Sequence, residues 1–526
     1  MARSRGDASL PKTARDALSW LRHAAPSVFR DRRDLHVDSR LVRPGDVFIA
    51  LRGETVDGRD YLSAAAANGA VAALVDASGW HARSASGVAR LSVLPVKDLR
   101  GVAGPLAADF YRHPSGHLLS IGVTGTNGKT SSTQWIAQLL TRTGRRCAVI
   151  GTIGVGFAGE LLNRTSLTTP DPVSLQREVR ALLDAGAHAL AMEVSSIGLQ
   201  QGRLQGMKVD VALFTNLTRD HLDYHGTMEQ YETAKALLFD WPTLTHAVIN
   251  FDDPAGRRLV GRLIERGVDV IGYSASDAGA DEAAHFAAAH QVQYLLTARR
   301  VRTTAAGLAF EAELGGVRIS VEVPLLGQFN VENLLGVLGV MHACGIAFER
   351  AVEALPTLES PRGRMQQVAM HDAPLAVVDY AHTPDALAKA LAALRPLASA
   401  RGGKLWVVFG AGGDRDAGKR APMGAAAAAG ADVVVVTSDN PRSEDAKVIC
   451  SQVTAGAIDA RAVVTIVERA AAIGHAMAHA SPGDVVLIAG KGHEDYQIVG
   501  AQRLPFSDVA HARAALARRS ASSSDA

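Results

Sequence analysis

An apolar run, LLSIGVTG (Leu118–Gly125), passes straight into the turn GTNGKTS and on into TSSTQWIAQLLTRTG (Thr130–Gly144), a segment with helical character. Strand, glycine-rich turn and helix in that order belong to α/β domains with largely parallel sheets. Glycines at 125 and 128 let backbone N–H groups face an anion, with Thr126, Asn127 and Ser131 completing the loop. Lys129 can neutralise terminal phosphates, and the Thr130 hydroxyl at the helix start suits Mg²⁺. The strict pattern G-x-x-x-x-G-K-S/T would need glycine at 123, where Val123 stands. An ordinary glycine turn capped by Thr130 is the competing reading, and the flanking strand and helix weigh against it.

Strand-like runs alternate with Ala/Leu-rich helical stretches through most of the chain, so the expected fold class is α/β. At roughly 100–200 residues per domain, the 526 residues suit three domains. Turn residues place them at 1–114, closing on YRHPSGH; at 115–347, closing on the helical ENLLGVLGVMHACG; and at 348–526. The first holds VFIAL (Val47–Leu51) and AVAALVD (Ala70–Asp76), and the second adds AVIGTIG, LAMEVSS and VALFTNL as strands of one sheet. In the third, LAVVDYA, KLWVVFG, ADVVVVTSD and GDVVLIAG run into Gly, Asp, Asn or His, as at the carboxyl ends of parallel strands where ligands bind.

Charge and cysteine content narrow the partners. With 55 Lys+Arg against 53 Asp+Glu, the formal charge of +2 gives no general attraction to nucleic acid or an anionic membrane. Three scattered cysteines, Cys147, Cys344 and Cys450, argue against a disulfide framework or a cysteine zinc site. No apolar run reaches the length of a spanning helix and no secretory leader is visible, so a cytoplasmic protein is expected.

Two strand ends can converge on the phosphate loop. Glu193 ends LAMEVSS, and His221 follows the strand VALF; a carboxylate and an imidazole suit Mg²⁺ bridging phosphates, as ligands or behind them. Each is equally explained alone, as a capping carboxylate and a loop histidine. Lys235, in YETAKALLF, reads by itself as a solvated helix lysine.

The motifs GTNGKTS, MEVSS, TNLTRDHLDYHG, LLGQFNVENLL, GRMQQV, VDYAHTPDAL, FGAGGDRDAGKR, TSDNPRSED and GKGHEDYQ stand in the order found in the Mur ligases, which the chain resembles from about Asp38 to Asp508. The resemblance implies an amino-terminal UDP-binding domain, a central phosphate-loop ATPase with a mostly parallel sheet, and a Rossmann-like carboxyl-terminal domain that binds the amino acid. It implies that Gly125–Ser131, Asn330, Arg364, Asp379 and His382 bind ATP, and that Thr130, Glu193, His221 and Lys235 serve the metal site. Lys235 falls where the family carries an N-carboxylated lysine, an anion able to hold Mg²⁺, so the resemblance overturns the bland reading of that residue. Lys129, Lys235, Glu193 and His221 are then the catalytic set. Val37, Ser39, Glu54, Thr55 and Val56 align with uridine contacts; Thr168, Thr169, Ser195, Gln201 and Arg203 align with contacts to the muramoyl-dipeptide. Ile197 stands where many relatives have His and Leu167 where some have Asn, departures that bear on the substrate pocket and remove no phosphate or metal group.

The implied activity adds meso-2,6-diaminopimelate to the D-Glu γ-carboxylate of UDP-MurNAc-L-Ala-D-Glu through an acyl phosphate, using ATP and Mg²⁺, in peptidoglycan precursor synthesis. Within that reading DNPR (Asp439, Asn440, Pro441, Arg442) discriminates between amino acids. Arg415 and Arg442 can pair the distal carboxylate of diaminopimelate, while Asp439 and Glu494 accept from its distal ammonium and Asn440 and Gly490 complete the cradle. Lysine has no such carboxylate and would leave guanidinium charge unpaired. A turn with a surface arginine is the plain alternative for DNPR. The competing functions are a lysine-adding relative, a folylpolyglutamate synthase-like ligase, and a catalytically dead nucleotide-binding or scaffolding protein. A monomer acting without nucleic acid or membrane is expected.

Overall fold

The computed structural model describes residues 11–31, 33–53, 56–80, 91–163, 167–275 and 277–524. They form two compact units. The first comprises the described residues up to Gly272 with 287–294 and 339–345; the second comprises 273–286, 295–338 and the described residues from Ile346 onward.

The first unit begins with a small parallel sheet of β1 (Leu35–His36), β2 (Val47–Ala50), β3 (Ala72–Asp76) and β4 (Ser92–Val96), in that order. Its faces are closed by separate apolar clusters, one around Val47, Ile49 and Leu74 and the other around Phe48, Ala50 and Val75. Alternate residues of each strand thus enter opposite cores, the period-two pattern of a sheet covered on both sides.

The larger sheet of this unit contains β5 (Leu119–Thr124), β6 (Cys147–Gly151), β7 (Gly154–Phe157), β8 (Glu160–Asn163), β9 (Ala189–Glu193), β10 (Val211–Phe214), β11 (His246–Asn250) and, as far as Gly272, β12 (Asp269–Ser274). Their spatial order is β12-β11-β10-β5-β9-β6-β7-β8. The strand leading into the phosphate loop is therefore central, flanked in parallel by β9 and β10. Register does the positioning: Val123 lies opposite Glu193 and Thr124 opposite Phe214, so both neighbouring strand ends open beside residue 125. The helix Lys129–Arg142 packs back through Trp135, Ile136, Leu139 and Leu140, all buried, at the spacing of one helical face.

The second unit holds an antiparallel meander, β13 (Tyr294–Thr304), β14 (Gly307–Leu314) and β15 (Val317–Val323). It also holds a six-stranded sheet of β16 (Gln366–Val368), β17 (Leu375–Asp379), β18 (Leu405–Phe409), β19 (Val433–Val436), β20 (Val463–Thr465) and β21 (Val485–Ala489). The order is β16-β17-β21-β18-β19-β20, parallel except for β16. Val377, Val407, Val434 and Leu487 face one apolar core, and Val378, Val408, Val435 and Ile488 the other. A two-stranded hairpin, β22 (Tyr496–Val499) and β23 (Gln502–Pro505), follows β21.

The parallel strands expected from the sequence are all present. ENLLGVLGVMHACG contributes to the helix Phe329–Ala343. The three cysteines are free and buried. Among the described residues no helix is long and apolar enough to cross a membrane.

One buried ion pair locks the second sheet. Arg469, at the start of the helix Arg469–His479, meets Asp508 through two bonds of 2.7 Å, and both side chains are fully buried. The guanidinium also donates to Ser438 O at 3.2 Å and Ala489 O at 3.0 Å, fastening the ends of the segments after β19 and at β21. Removing one partner leaves an uncompensated buried charge. Asp508→Ala should therefore cost about 3–5 kcal/mol of unfolding free energy in denaturant titration; a loss below about 1 kcal/mol, the scale of a surface pair, would remove the pair from the scaffold.

Candidate active site

The loop after β5 takes a shape open only to glycine at two points. Gly125 has φ +147° and Gly128 φ +85°, and a Cβ at 125 would lie 1.8 Å from Thr215 Oγ1. The segment after β10 stitches the loop in place. Thr126 N donates to Asn216 O at 2.8 Å, Asn127 N to Asn216 Oδ1 at 2.9 Å, and Thr215 Oγ1 to Asn127 O at 2.6 Å. Two of the loop amides are thus committed internally, and Ser131 lies in the first turn of the following helix.

Two lysines converge on one carbonyl. Lys129 Nζ donates to Gly125 O at 2.8 Å and Thr126 O at 2.9 Å, and Lys235 Nζ donates to Gly125 O at 2.8 Å. Lys235 is only 2% exposed and stands 4.3 Å over the Tyr231 ring. Burial, reinforced by the charge of Lys129 and partly opposed by Asp220, holds the Lys235 amine well below the ordinary lysine range. That is not the solvated helix lysine its local sequence suggests.

Glu193 is the hub of a buried network. Thr130 Oγ1 donates to its Oε2 at 2.8 Å, and Thr152 donates to Oε1 through N at 2.8 Å and to Oε2 through Oγ1 at 3.2 Å. The Thr152 hydroxyl in turn lies 3.1 Å from that of Thr168. From the Glu193 carbonyl the chain of bonds continues through Thr169 Oγ1, at 3.0 Å, to Ser195 Oγ at 3.1 Å. Arg203 donates to Thr169 O at 2.8 Å and to Gln201 Oε1, and Gln201 Nε2 reaches Tyr224 OH at 3.3 Å. The structure therefore joins the expected metal residues Thr130 and Glu193 to the whole group Thr168, Thr169, Ser195, Gln201 and Arg203.

His221 is exposed, with φ +52°, beside Asp220 at 3.6 Å and edge-on to Tyr231 at 6.2 Å between ring centroids. Next to it His225 is buried, its Nε2 2.9 Å from Ser196 Oγ, and burial followed by the charges of His221 and Lys235 lowers its pKa. In the small first sheet, Ser39 is buried, Val37 half-buried and Val56 half exposed, while Glu54 and Thr55 lie outside the described residues. Leu167 is exposed and Ile197 half-buried.

The second unit carries its own cluster. Asn330 is buried, donating from Nδ2 to Leu326 O at 2.6 Å and accepting from Asn333 Nδ2 at 2.9 Å. Asp379 ends β17 and accepts from Met365 N and Ala381 N, each at 2.9 Å, while burial raises its pKa against those bonds. Arg364 lies 5.2 Å over the Tyr380 ring, and the His382 ring packs edge-on against the same tyrosine at 4.7 Å.

Beyond β19, the DNPR segment turns sharply, with Arg442 at φ +52°. Arg442 donates to Gly413 O at 2.7 Å, and Gly413 N to Asn440 O at 2.9 Å. A Cβ on Gly413 would lie 1.9 Å from Pro441 O, and one on Gly412 would lie 3.0 Å from the Arg442 guanidinium and 3.9 Å from Arg415 Cγ. Glycines thus bring the GGDRD and DNPR loops, and both arginines, together; the Arg415 side chain is exposed. The loops are also cross-linked by Ser443 Oγ to Asp414 Oδ1 at 2.6 Å and by the buried Arg420 to Glu444 at 2.8 Å. Asn440 Nδ2 donates to Glu494 Oε2 at 3.0 Å. Asp439 is buried, and that burial raises its carboxyl pKa.

Thr152, Tyr231, the Arg469–Asp508 pair, Gln497 and Lys491 receive no role from the sequence. Lys491 alone had a signal: a lysine directly after a glycine beyond an apolar strand, as at Gly128–Lys129. Gln497 reaches Asp439 O from the hairpin, at 2.6 Å, a contact no spacing announces.

Comparison with known proteins matches this arrangement to one family. Profiles described as the Mur ligase family catalytic domain, the Mur ligase middle domain and the Mur ligase glutamate ligase domain match residues 34–111, 123–341 and 363–492. The chain is 49% identical over 507 residues to the UDP-N-acetylmuramoyl-L-alanyl-D-glutamate--2,6-diaminopimelate ligase of Ralstonia nicotianae, covering 95% of this chain and 96% of that protein. A solved structure of a ligase of the same name superposes with a TM-score of 0.64 at 37% identity, over 93% of this chain and 95% of that one. A MurF ligase from Thermotoga maritima in complex with ADP shares the fold at 18% identity, with a TM-score of 0.58 over 93% and 98% of the two chains. On the match of three successive profiles and a relative spanning nearly its whole length, the chain belongs to the Mur ligase family.

Proposed function

We propose that the protein is an ATP-dependent ligase that joins meso-2,6-diaminopimelate to the D-Glu γ-carboxylate of UDP-MurNAc-L-Ala-D-Glu. The observation that carries this reading is the bond network running from Thr130 and Glu193 to Thr168, Thr169, Ser195 and Arg203, which ties a phosphate loop to a polar surface suited to an acidic peptide. Residues 1–114, 115–347 and 348–526 serve as UDP-binding, ATP-binding and amino-acid-binding domains of a cytoplasmic monomer. Val37, Ser39, Glu54, Thr55 and Val56 take the uridine end; Asn330, Arg364, Asp379 and His382 take the nucleotide.

The γ-carboxylate oxygen attacks the γ-phosphorus of ATP and ADP leaves, giving an acyl phosphate. The amine at the L-centre of diaminopimelate then attacks the acyl carbon, loses a proton, and phosphate departs. The helix amides at 128–131 and Lys129 hold the phosphates, exchanging the loop carbonyls for anionic oxygens, so catalysis is positioning and charge neutralisation without a protein nucleophile. Magnesium fits the residues present, because Thr130 and Glu193 bring a hydroxyl and a buried carboxylate together and oxygen donors suit this ion. Among the described residues no three carboxylate, histidine or cysteine side chains are grouped so as to hold a metal ion by themselves, and Mg²⁺ commonly completes its shell with water and phosphate oxygens. Thr130, Glu193, His221 and a carboxylated Lys235 would hold it; when bound it screens the phosphate charge.

Phosphate release with candidate amino acids supplied singly tests the assignment. Turnover with diaminopimelate and none with lysine is expected; lysine turnover would shift the reading to the lysine-adding relative, and release without the UDP-linked dipeptide would end it. Arg442 is the side chain that separates the two amino acids. Arg442→Ala should raise the KM for diaminopimelate by about 30-fold or more, the effect of losing a partner to a buried carboxylate, while the KM for ATP stays put. Equal loss for both substrates would remove Arg442 from amino-acid selection.

A further inference from the structure

Lys491, in the motif GKGHEDYQ, has no task in the mechanism above, yet its side chain is wholly buried. It follows β21 between Gly490, φ +116°, and Gly492, φ +53°. A Cβ at 490 would lie 2.4 Å from Asp439 Oδ2, and one at 492 would lie 2.7 Å from Tyr380 Cβ. The backbone therefore approaches the cradle at a distance only glycines allow on either side of the lysine.

A buried ammonium is stable only with acceptors around it. Lys491 Nζ donates to Asn440 Oδ1 at 3.0 Å and to Glu494 Oε2 at 3.1 Å, and stands 3.9 Å from Asp439 Oδ1. These three side chains are the ones assigned to the distal end of the amino acid. Asn440 is thereby fixed in one orientation: Oδ1 accepts from Lys491 and from Ile498 N at 3.0 Å, while Nδ2 donates to Glu494 Oε2. Glu494 commits Oε2 to internal donors; Oε1, and both carboxylate oxygens of Asp439, take no hydrogen bond among the described residues. Two carboxylates against one internal ammonium leave one negative charge, which one incoming ammonium would neutralise. Burial and the neighbouring Glu494 both raise the Asp439 pKa, whereas Arg469 and Lys491 lower it.

Building on the ligase reading, we infer that Lys491 is a positioning residue for amino-acid selection: its ammonium holds Asn440 and Glu494 so that Glu494 Oε1 and Asp439 accept the distal ammonium of a diamino diacid. Without it the two carboxylates lose the ammonium between them, their mutual repulsion favours protonation of one, and Asn440 loses the bond that orients it. The acceptor for an ammonium is then replaced by a mixed donor and acceptor.

The test compares meso-diaminopimelate with 2-aminopimelate, which keeps the distal carboxylate and lacks the distal amine, in phosphate-release assays on the full chain. The parent protein should prefer diaminopimelate in kcat/KM by about 30-fold or more, the scale of one desolvated charged partner. Lys491→Met should compress that preference to within about threefold through the KM for diaminopimelate, with kcat for each substrate little changed. Glu494→Gln should narrow the preference as well, and the double variant should narrow it no further than either single one, because Lys491 acts through Glu494. Should Lys491→Met not fold, Lys491→Gln, which keeps a donor and removes the charge, is read for the same ratio. A variant that slows both substrates equally and keeps the preference overturns the inference and leaves Lys491 a structural residue. A parent protein that turns over neither compound overturns the ligase reading itself.

Discussion

Lys129→Ala should reduce formation of acyl phosphate by at least about 10³-fold, the range seen when a preorganised cation or donor is removed from a developing phosphoryl charge. The side chain lies at the base of the first helical turn and donates to Gly125 O and Thr126 O, so its ammonium already sits within the loop that would cradle the phosphates. The loop itself should survive the substitution. Its shape rests on Gly125 and Gly128 and on bonds from Thr126, Asn127 and Thr215, none of which uses the lysine side chain. A single-turnover assay with labelled ATP, UDP-linked dipeptide and no amino acid isolates this step from amide formation. Normal phosphoryl transfer in the variant would take the loop out of the mechanism. Retained nucleotide binding with lost transfer would instead place the contribution of Lys129 in the transition state.

Most of the sheet architecture was legible in the sequence because buried parallel strands are short apolar runs ending in polar residues. VALF, LWVVF and VVLIA satisfy that pattern, and every one is a strand. The phosphate loop was legible for a related reason: glycine is required where φ is positive, and the sequence shows it at 125 and 128. Lys235 was not. Its helix, Met228–Ala236, has no strong amphipathic pattern, and the side chain is buried by the loop after β5, more than a hundred positions earlier in the chain. Only the family resemblance singled it out. Arg469 and Asp508 escaped notice likewise, since each looks like an ordinary helix-start residue until the fold puts them together. The cradle was half legible. DNPR named the arginine and two acceptors, but the internal ammonium among them comes from another strand end, and nothing in local spacing links Lys491 to Asn440.

Lys235→Ala should be nearly inactive, by about 10³-fold, and should regain part of its turnover when a short carboxylate such as formate or acetate is added. Carbamate formation needs a neutral amine, whose nitrogen bonds to the carbon of CO₂ and then loses a proton. The buried Lys235 reaches the neutral state at lower pH than a solvated lysine does, because burial and Lys129 both disfavour its charge. In the alanine variant the vacated volume and the remaining cations of the loop favour a small anion, so carboxylates restore what was lost. If the ammonium itself were the active form, short amines would rescue and carboxylates would not, and the modified-lysine assignment would fail. Stability separates this loss from unfolding. An unmodified lysine whose folded pKa lies below its unfolded value binds fewer protons folded than unfolded, so its burial costs stability that is recovered progressively as pH rises from the lowered folded pKa to the ordinary lysine range. Lys235→Met removes that cost and should melt no lower than the unmodified parent at neutral pH while remaining inactive. A methionine variant that melts well below the parent would show that the amine, or the anion built on it, holds the loop together as well as serving the reaction.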